Sequence, residues 1–178
     1  MSKLNYVPLT KQNYQIILQL QTQIFPEDNG EYDYLEYLEN DDKGDNAYYI
    51  VYDKNVPIGI TGLYVLDEFP DTIWLGWYGV LEEYRGMGFG KQILLDSIDF
   101  AKQTDKKWFR LYSTEYYDKV AIKLYKKVMQ IYEYYNNPDD VNDNGHCMIF
   151  SYSICDEPID YWNDKFINLK EDNETSSS

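Results

Sequence analysis

A chain of 178 residues, of which 44% are hydrophobic, has enough apolar side chains for one compact domain with a hydrophobic core. It carries 31 Asp and Glu residues against 16 Lys and Arg residues, and its formal net charge is −15. Nucleic acids and anionic membranes require a positive protein surface, so we expect neither as a partner. Cationic small molecules and basic peptides are the partners that this charge favours.

The sequence also argues against several kinds of site. Its first ten residues have no basic stretch followed by an apolar one, and no run is apolar enough to span a bilayer, so we expect a cytoplasmic protein. Cys147 and Cys155 lack the spacing of a metal-binding pair, and the single His146 lies in the turn-like segment NDNGHC. We therefore predict no metal site, no disulfide framework and no Ser-His-Asp triad.

Two helices are predicted first in the chain. After Thr10, apolar residues recur at helical spacing from Tyr14 to Ile24, and Pro26 then ends the pattern. A shorter helix is predicted over residues 31–40. The pattern then changes to one of strands, which are predicted at residues 47–52, 56–65 and 72–80.

Helices and strands alternate in the second half. An apolar stripe predicts a helix over residues 91–103, and a second amphipathic helix is predicted from Val120 to Val128. Further strands are predicted at residues 108–114, 131–137 and 147–154. This order predicts an α+β protein, an α/β sandwich in which helices cover both faces of a mixed, mostly antiparallel central sheet. We expect one domain over residues 1–167, followed by a polar, mobile tail at 168–178.

The most informative stretch is YRGMGFGKQ, residues 84–92, between the third strand and the next helix. The first N–H groups of a helix have no intrahelical partner, and with the helix dipole they form an anion site. Gly86, Gly88 and Gly90 allow successive amides to turn inward and a phosphate to approach the backbone. Arg85 and Lys91 add positive charge at both sides of this loop.

Two other phosphate-binding loops do not fit these residues. A Walker loop requires a glycine where Arg85 stands and a hydroxyl residue where Gln92 stands. A dinucleotide-binding loop requires a third glycine where Lys91 stands. A tight turn alone would need only one glycine, so a purely structural role is the weaker interpretation.

The segment WLGWYGVLEEYRGMGFGKQILLDSI resembles the acyl-CoA binding motif of the GNAT superfamily of N-acetyltransferases, Q/R-x-x-G-x-G/A. Arg85, Gly88 and Gly90 match it position by position. Downstream, DKVAIKLYKK resembles the family helix N-x-x-A-x-x-x-Y, with Ala121 and Tyr125 matching and Asp118 in place of Asn. The predicted order of elements resembles the family fold through residue 154.

This resemblance implies a function and a set of site residues. The function is transfer of an acetyl group from acetyl-CoA to a primary amine of a small or peptide acceptor, by direct attack in a ternary complex and without a metal. Tyr125 would protonate the departing thiolate or hydrogen-bond its sulfur. The remaining residues implied in cofactor binding are Tyr78, Val80, Arg85, Gly86, Met87, Gly88, Phe89, Gly90, Lys91 and Asp118, of which Tyr78 and Val80 would pair with the pantetheine arm through their main chain.

The resemblance leaves the general base and the acceptor open. Residues 73–80 contain no carboxylate, although some family members carry their base on this strand. The family acceptor pocket corresponds here to residues 25–34 and 136–145, where Asp28, Tyr32, Tyr34, Asp139 and Asp140 suggest a cationic acceptor.

Other functions are compatible with these residues. The chain could be a non-catalytic acyl-CoA binding or sensing module, since the strand lacks a base, or a protein-interaction domain that uses the fold as a scaffold. A homodimer is also open. A ping-pong mechanism through Cys147 is disfavoured, because adjacent strand residues such as His146 and Cys147 point to opposite faces.

Overall fold

The computed structural model describes residues 3–114, 119–135 and 147–162. These residues contain seven strands and four α-helices. The predicted α+β class is therefore confirmed. The chain divides into two compact units, Met1–Lys106 and Lys107–Ser178.

The first unit contains four strands and three helices. Its strands are paired antiparallel in the order β1-β2-β3-β4. Its elements in chain order are β1 (Asn5–Pro8), α1 (Tyr14–Ile24), α2 (Glu31–Glu39), β2 (Ala47–Asp53), β3 (Val56–Tyr64), β4 (Thr72–Val80), a 3₁₀ turn (Glu82–Tyr84) and α3 (Phe89–Ala101).

Helices cover both faces of these strands, because the sheet is apolar on each side. On one face, Ile17, Leu20 and Ile24 of α1 lie along one side of the helix and pack with Ile50 of β2 and Ile60 of β3. The second core cluster joins α3 to the other face and consists of Leu4, Val51, Ile58, Val80, Phe89 and Ile93. The polar pair Thr61 and Ser97 is buried between β3 and α3, and its hydroxyl oxygens are 2.8 Å apart.

The second unit contains three strands and one helix: β5 (Trp108–Thr114), α4 (Lys119–Val128), β6 (Ile131–Tyr135) and β7 (Cys147–Ser153). Strand β7 lies between β5 and β6 and is antiparallel to both. Arg110 of β5 is 1% exposed and donates hydrogen bonds to Ser151 Oγ and to the Asp160 carbonyl, both at 2.6 Å. This buried cation ties the segment after β7 to the strands.

Strand β1 is a correction to the predicted order of elements, which began with α1. Its four residues NYVP offer too short an alternation of apolar and polar residues to signal a strand, and they include a proline. Pairing with β2 stabilises it, with Val7 opposite Ile50. None of the helices among the described residues combines the length and the apolar character needed to cross a membrane.

Candidate active site

The glycine loop joins the end of β4 to the start of α3. After Val80 the chain makes its 3₁₀ turn and becomes extended at Arg85. Gly86 then has a φ of +77° and Gly88 a φ of +86°, a left-handed conformation that side chains with a Cβ rarely adopt. Gly88 is the N-cap of α3, and no side chain caps this helix. Two glycines are therefore required by the backbone conformation itself.

Six consecutive amides in this loop donate no hydrogen bond to any described residue. The Arg85 amide donates to the Glu82 carbonyl at 3.1 Å, and the Gln92 amide donates to the Gly88 carbonyl at 3.2 Å. The amides between them, from Gly86 to Lys91, have no such acceptor. The run of free donors thus begins one residue later than the motif suggested, and it lies at the positive end of the α3 dipole, where an anion is favoured.

Positive charge and open space accompany these amides. Arg85 and Lys91 have exposed side chains, and the Arg85 Nε donates a 3.0 Å hydrogen bond to the Val80 carbonyl. Apart from its chain neighbours, no described residue has an atom within 4 Å of where a Cβ on Gly86 would be, and the Met87 side chain is 57% exposed. Phe89 is buried in the cluster under α3 and anchors the loop. The arrangement can bind a phosphate group without displacing a side chain.

Tyr78 of β4 holds the first turn of α3. Its hydroxyl donates a 2.5 Å hydrogen bond to the carbonyl of Gly90. A Cβ added at Gly90 would lie 3.3 Å from the Tyr78 hydroxyl oxygen. Burial raises the pKa of the Tyr78 phenol above its usual value, so this donor is protonated at neutral pH. Tyr78 therefore contacts the loop through its side chain, a role that differs from the main-chain role implied by the resemblance.

A β-bulge interrupts β4 just before Tyr78. Ile60 pairs with Gly79 and Gly62 with Gly76, so that Thr61 faces two residues of β4, Trp77 and Tyr78. Trp77 has a φ of +47°, which is rare for a bulky residue and is a strained conformation of the kind found near functional sites. The residue pattern of β4 predicts a regular strand over 72–80, without this bulge.

Tyr125 lies in the second unit, on α4. It is 8% exposed, and its ring centroid is 5.4 Å from that of Phe150 on β7. The neighbouring Ala121 of the predicted motif lies one turn earlier on the same helix. Asp118, Asp139, Asp140 and His146 lie outside the described residues, as does the predicted tail at 168–178.

Residues 14–129 match the family model of the acetyltransferase (GNAT) family. The chain belongs to this family. A sequence search of curated proteins finds no match.

Solved structures share the fold of this GNAT acetyltransferase. A protein of the GNAT family from Desulfovibrio desulfuricans has a TM-score of 0.71 and 10% identity over 86% of this chain and 100% of its own. Arabidopsis thaliana NAA60 in complex with a bisubstrate analogue has a TM-score of 0.63 and 16% identity over 85% of this chain and 98% of its own. A spermidine N-acetyltransferase SpeG chimera from Vibrio cholerae and hSSAT has a TM-score of 0.65 and 14% identity over 86% of this chain and 96% of its own.

The residues suggested for the acceptor pocket of this GNAT chain differ in exposure. Tyr32 is 73% exposed on α2, whereas Tyr34 is fully buried and belongs to the core under α1 and α2. Tyr34 is therefore not presented to solvent, and the suggestion for this residue was wrong. Its spacing of four residues from the partly buried Leu38, on one side of α2, was the available signal of burial.

Proposed function

We propose that this protein is an N-acetyltransferase that transfers the acetyl group of acetyl-CoA to a primary amine, by direct transfer in a ternary complex. The observation that carries this proposal is the run of six amides without protein acceptors, Gly86 to Lys91, at the N-terminus of α3. Proteins of this family are acetyltransferases, and acetyl-CoA is the donor that the family uses.

The loop residues suit the pyrophosphate of acetyl-CoA. The amides from Gly86 to Lys91 would hold it by main-chain hydrogen bonds, and the side chains of Arg85 and Lys91 would add positive charge. The main chain at Tyr78 and Val80 would pair with the pantetheine arm. Acetyl-CoA supplies an activated acetyl thioester when it is bound. Asp118 remains a proposed cofactor contact.

The residues of the chain then have two tasks in the transfer. They orient the acceptor nitrogen toward the carbonyl carbon, which lowers the entropic cost of the reaction. As the C–N bond forms and the C–S bond breaks, the departing thiolate needs a proton, and the Tyr125 hydroxyl would donate it or hydrogen-bond the sulfur. A phenol suits this task because it is protonated at neutral pH.

The acceptor is proposed to be a cationic amine, on a small molecule or a peptide. The net charge of −15 favours such an acceptor. Solved relatives of this fold include a spermidine N-acetyltransferase chimera, and this supports an amine that carries more than one positive charge. The acceptor amine must lose a proton before attack, and the absence of a carboxylate in Ile73–Val80 places this task on water or on a residue outside β4.

The absence of that carboxylate also favours a second candidate, an acyl-CoA binding module without transferase activity. A thiol-release assay with acetyl-CoA and a panel of primary amines separates the two. We expect amine-dependent release by the wild type, and a kcat at least about tenfold lower for Tyr125→Phe with unchanged acetyl-CoA affinity. Tyr132→Phe is the matched control, since this exposed phenol of β6 lies outside the proposed site.

The outcomes are distinct. Binding of acetyl-CoA without turnover on any amine would support the binding module. Failure to bind acetyl-CoA would contradict both candidates. Turnover that Tyr125→Phe leaves unchanged would remove Tyr125 from the proposed mechanism.

A further inference from the structure

The bulge in β4 turns Trp77 toward α2. The indole Nε1–H of Trp77 donates a 2.8 Å hydrogen bond to Oδ2 of Asp33, and its ring packs at 66° against Phe25 with the centroids 5.5 Å apart. A strained residue on the strand next to the proposed cofactor loop is thus bonded to one carboxylate of α2. This contact joins residues 44 positions apart in the sequence.

Asp33 lies among aromatic side chains. Burial and then the negative charge of Asp33 raise the pKa of Tyr48 and Tyr64, and both causes together bring that of Tyr64 to about 12. Burial and the nearby groups Tyr48 and Asp33 likewise raise the pKa of Tyr34. The rings of Tyr34 and Tyr48 pack edge to face, with centroids 5.2 Å apart. Tyr34, Tyr48 and Trp77 belong to one core cluster, so the carboxylate bonded to Trp77 lies beside aromatic side chains of α2, β2 and β4.

No positive side chain balances this carboxylate in the part of the chain that the structure describes. Asp33 forms no ion pair there, and its only hydrogen bond is the one from Trp77. Lys43, which follows α2, stands over the ring of Tyr37 at 4.9 Å and donates to the Asn40 carbonyl at 2.7 Å. A cation that reaches this partly buried carboxylate is attracted by it, and no cation of the described residues competes for that attraction.

A second polar group in the same cluster also lacks a partner. The hydroxyl of Tyr34 is buried and forms no hydrogen bond with any described residue, although Tyr34 itself is fully enclosed. Buried hydroxyls normally have a partner, so this cluster holds two polar groups, Asp33 and the Tyr34 hydroxyl, whose hydrogen-bonding capacity is not filled by the described residues. One carboxylate with aromatic rings is a poor set of ligands for Mg²⁺ or Ca²⁺, which take several oxygen ligands.

We propose that Asp33, with the aromatic rings of Tyr48 and Trp77, binds an alkylammonium group of the acceptor and so selects acceptors that carry positive charge. This inference rests on the proposed acetyltransferase function. The carboxylate attracts the cation directly, and the faces of the rings attract it through their negative quadrupoles. Trp77 positions the carboxylate by donating to one oxygen, which leaves the other oxygen for the ligand.

Three primary amines of equal length test the proposal: 1,5-diaminopentane, 5-aminopentan-1-ol and 5-aminopentanoate. We expect kcat/KM in the thiol-release assay to be at least about tenfold higher for the diamine than for the amino alcohol, and lowest for the amino acid. Asp33→Asn keeps an acceptor for the Trp77 N–H but loses the charge. In this variant the ratio of kcat/KM for the diamine to kcat/KM for the amino alcohol should fall close to one. Acetyl-CoA binding, measured by calorimetry, should stay unchanged.

Asp71→Asn is the matched control, because it removes the same charge from an exposed position before β4. It should keep the wild-type preference, which would exclude a general effect of net charge. An equal rate for diamine and amino alcohol in the wild type, or a preserved preference in Asp33→Asn, would overturn the proposal.

The remaining outcomes separate this inference from the function on which it rests. A wild type that fails to bind acetyl-CoA would contradict the acetyltransferase function itself. If acetyl-CoA binds but none of the three amines reacts, calorimetry with 1,5-diaminopentane decides. The absence of binding that depends on Asp33 would then overturn the inference alone.

Discussion

The hydroxyl of Tyr78 donates a 2.5 Å hydrogen bond to the carbonyl oxygen of Gly90, and this contact joins β4 to the first turn of α3. The residues that it connects lie on either side of the glycine loop. The loop amides therefore project from a helix end that is held to the sheet by a partly buried side chain.

Replacing Tyr78 with Phe removes this hydrogen bond and keeps the ring. We expect a loss of about 1 kcal/mol in the free energy of unfolding, measured by urea denaturation. If the same free energy is lost from cofactor binding, the Kd for acetyl-CoA rises roughly fivefold. Tyr49→Phe is the control, since its phenol forms no hydrogen bond with a described residue, and an equal effect of both substitutions would contradict the role of Tyr78.

Much of the fold follows from local patterns that the sequence shows directly. The bounds of β4 and β5 agree with the predicted ones, because both strands are dense in aromatic and branched residues between turn signals. Helix α3 begins at Phe89, two residues before the predicted start, because Gly88 is its N-cap. Element type is encoded by periodicity, whereas the first residue of a helix depends on the geometry of its cap.

The features that the sequence analysis missed depend on contacts between distant residues. The bulge at Trp77 arises from the register of β4 against β3, and the bond from Trp77 to Asp33 spans 44 positions. Gly76 and Gly79 on either side of Trp77 and Tyr78 were the only local signal of an irregular strand. The burial of Arg110 was equally inaccessible, since its partners Ser151 and Asp160 lie in a different strand and in the segment after it.

The buried Arg110 provides a prediction for the stability of the second unit. Its guanidinium stands 5.5 Å from the ring centroid of Trp162, and burial lowers its pKa while Glu133 and Asp160 act in the opposite direction. Arg110→Met leaves these partners without their cation, and we expect a loss of about 3 kcal/mol in the free energy of unfolding.

Lys107→Met is the matched control for Arg110, because it removes a cation from the same strand region. Its ion pair with Glu157 is exposed, with the charged atoms 3.4 Å apart, and such pairs contribute less than about 1 kcal/mol. Urea denaturation of the two variants compares them directly. Losses of similar size would show that Arg110 is no more important than a surface cation.

The raised pKa of Tyr64 predicts how the stability of the protein depends on pH in the alkaline range. Burial and then the charge of Asp33 raise the pKa of its phenol from 10.0 to about 12. Because the folded pKa lies above the unfolded one, the stabilisation is complete below pH 10 and is lost as the pH rises from 10 to 12. At pH 11 the ionisation of Tyr64 alone should lower the free energy of unfolding by about 1 kcal/mol.

Urea denaturation of wild type and Tyr64→Phe at pH 8 and pH 11 measures this effect. The wild type should lose more stability between the two pH values than the variant does, by about 1 kcal/mol. Equal losses in the two proteins would show that Tyr64 ionises as readily in the folded state as in the unfolded chain.

Calorimetric titration with acetyl-CoA of the wild type, Gly86→Ala and Gly44→Ala tests the cofactor role of the loop most directly. Both glycines have a positive φ, +77° and +54°, and beyond its chain neighbours no described residue has an atom within 4 Å of an added Cβ at either one, so each substitution should cost about 1–2 kcal/mol of backbone strain. Only Gly86 lies among the free amides. The proposed function predicts that Gly44→Ala binds acetyl-CoA like the wild type and that Gly86→Ala binds at least about tenfold more weakly. Equal binding by all three proteins, or no binding by the wild type, would contradict the assignment of this loop as the acetyl-CoA site.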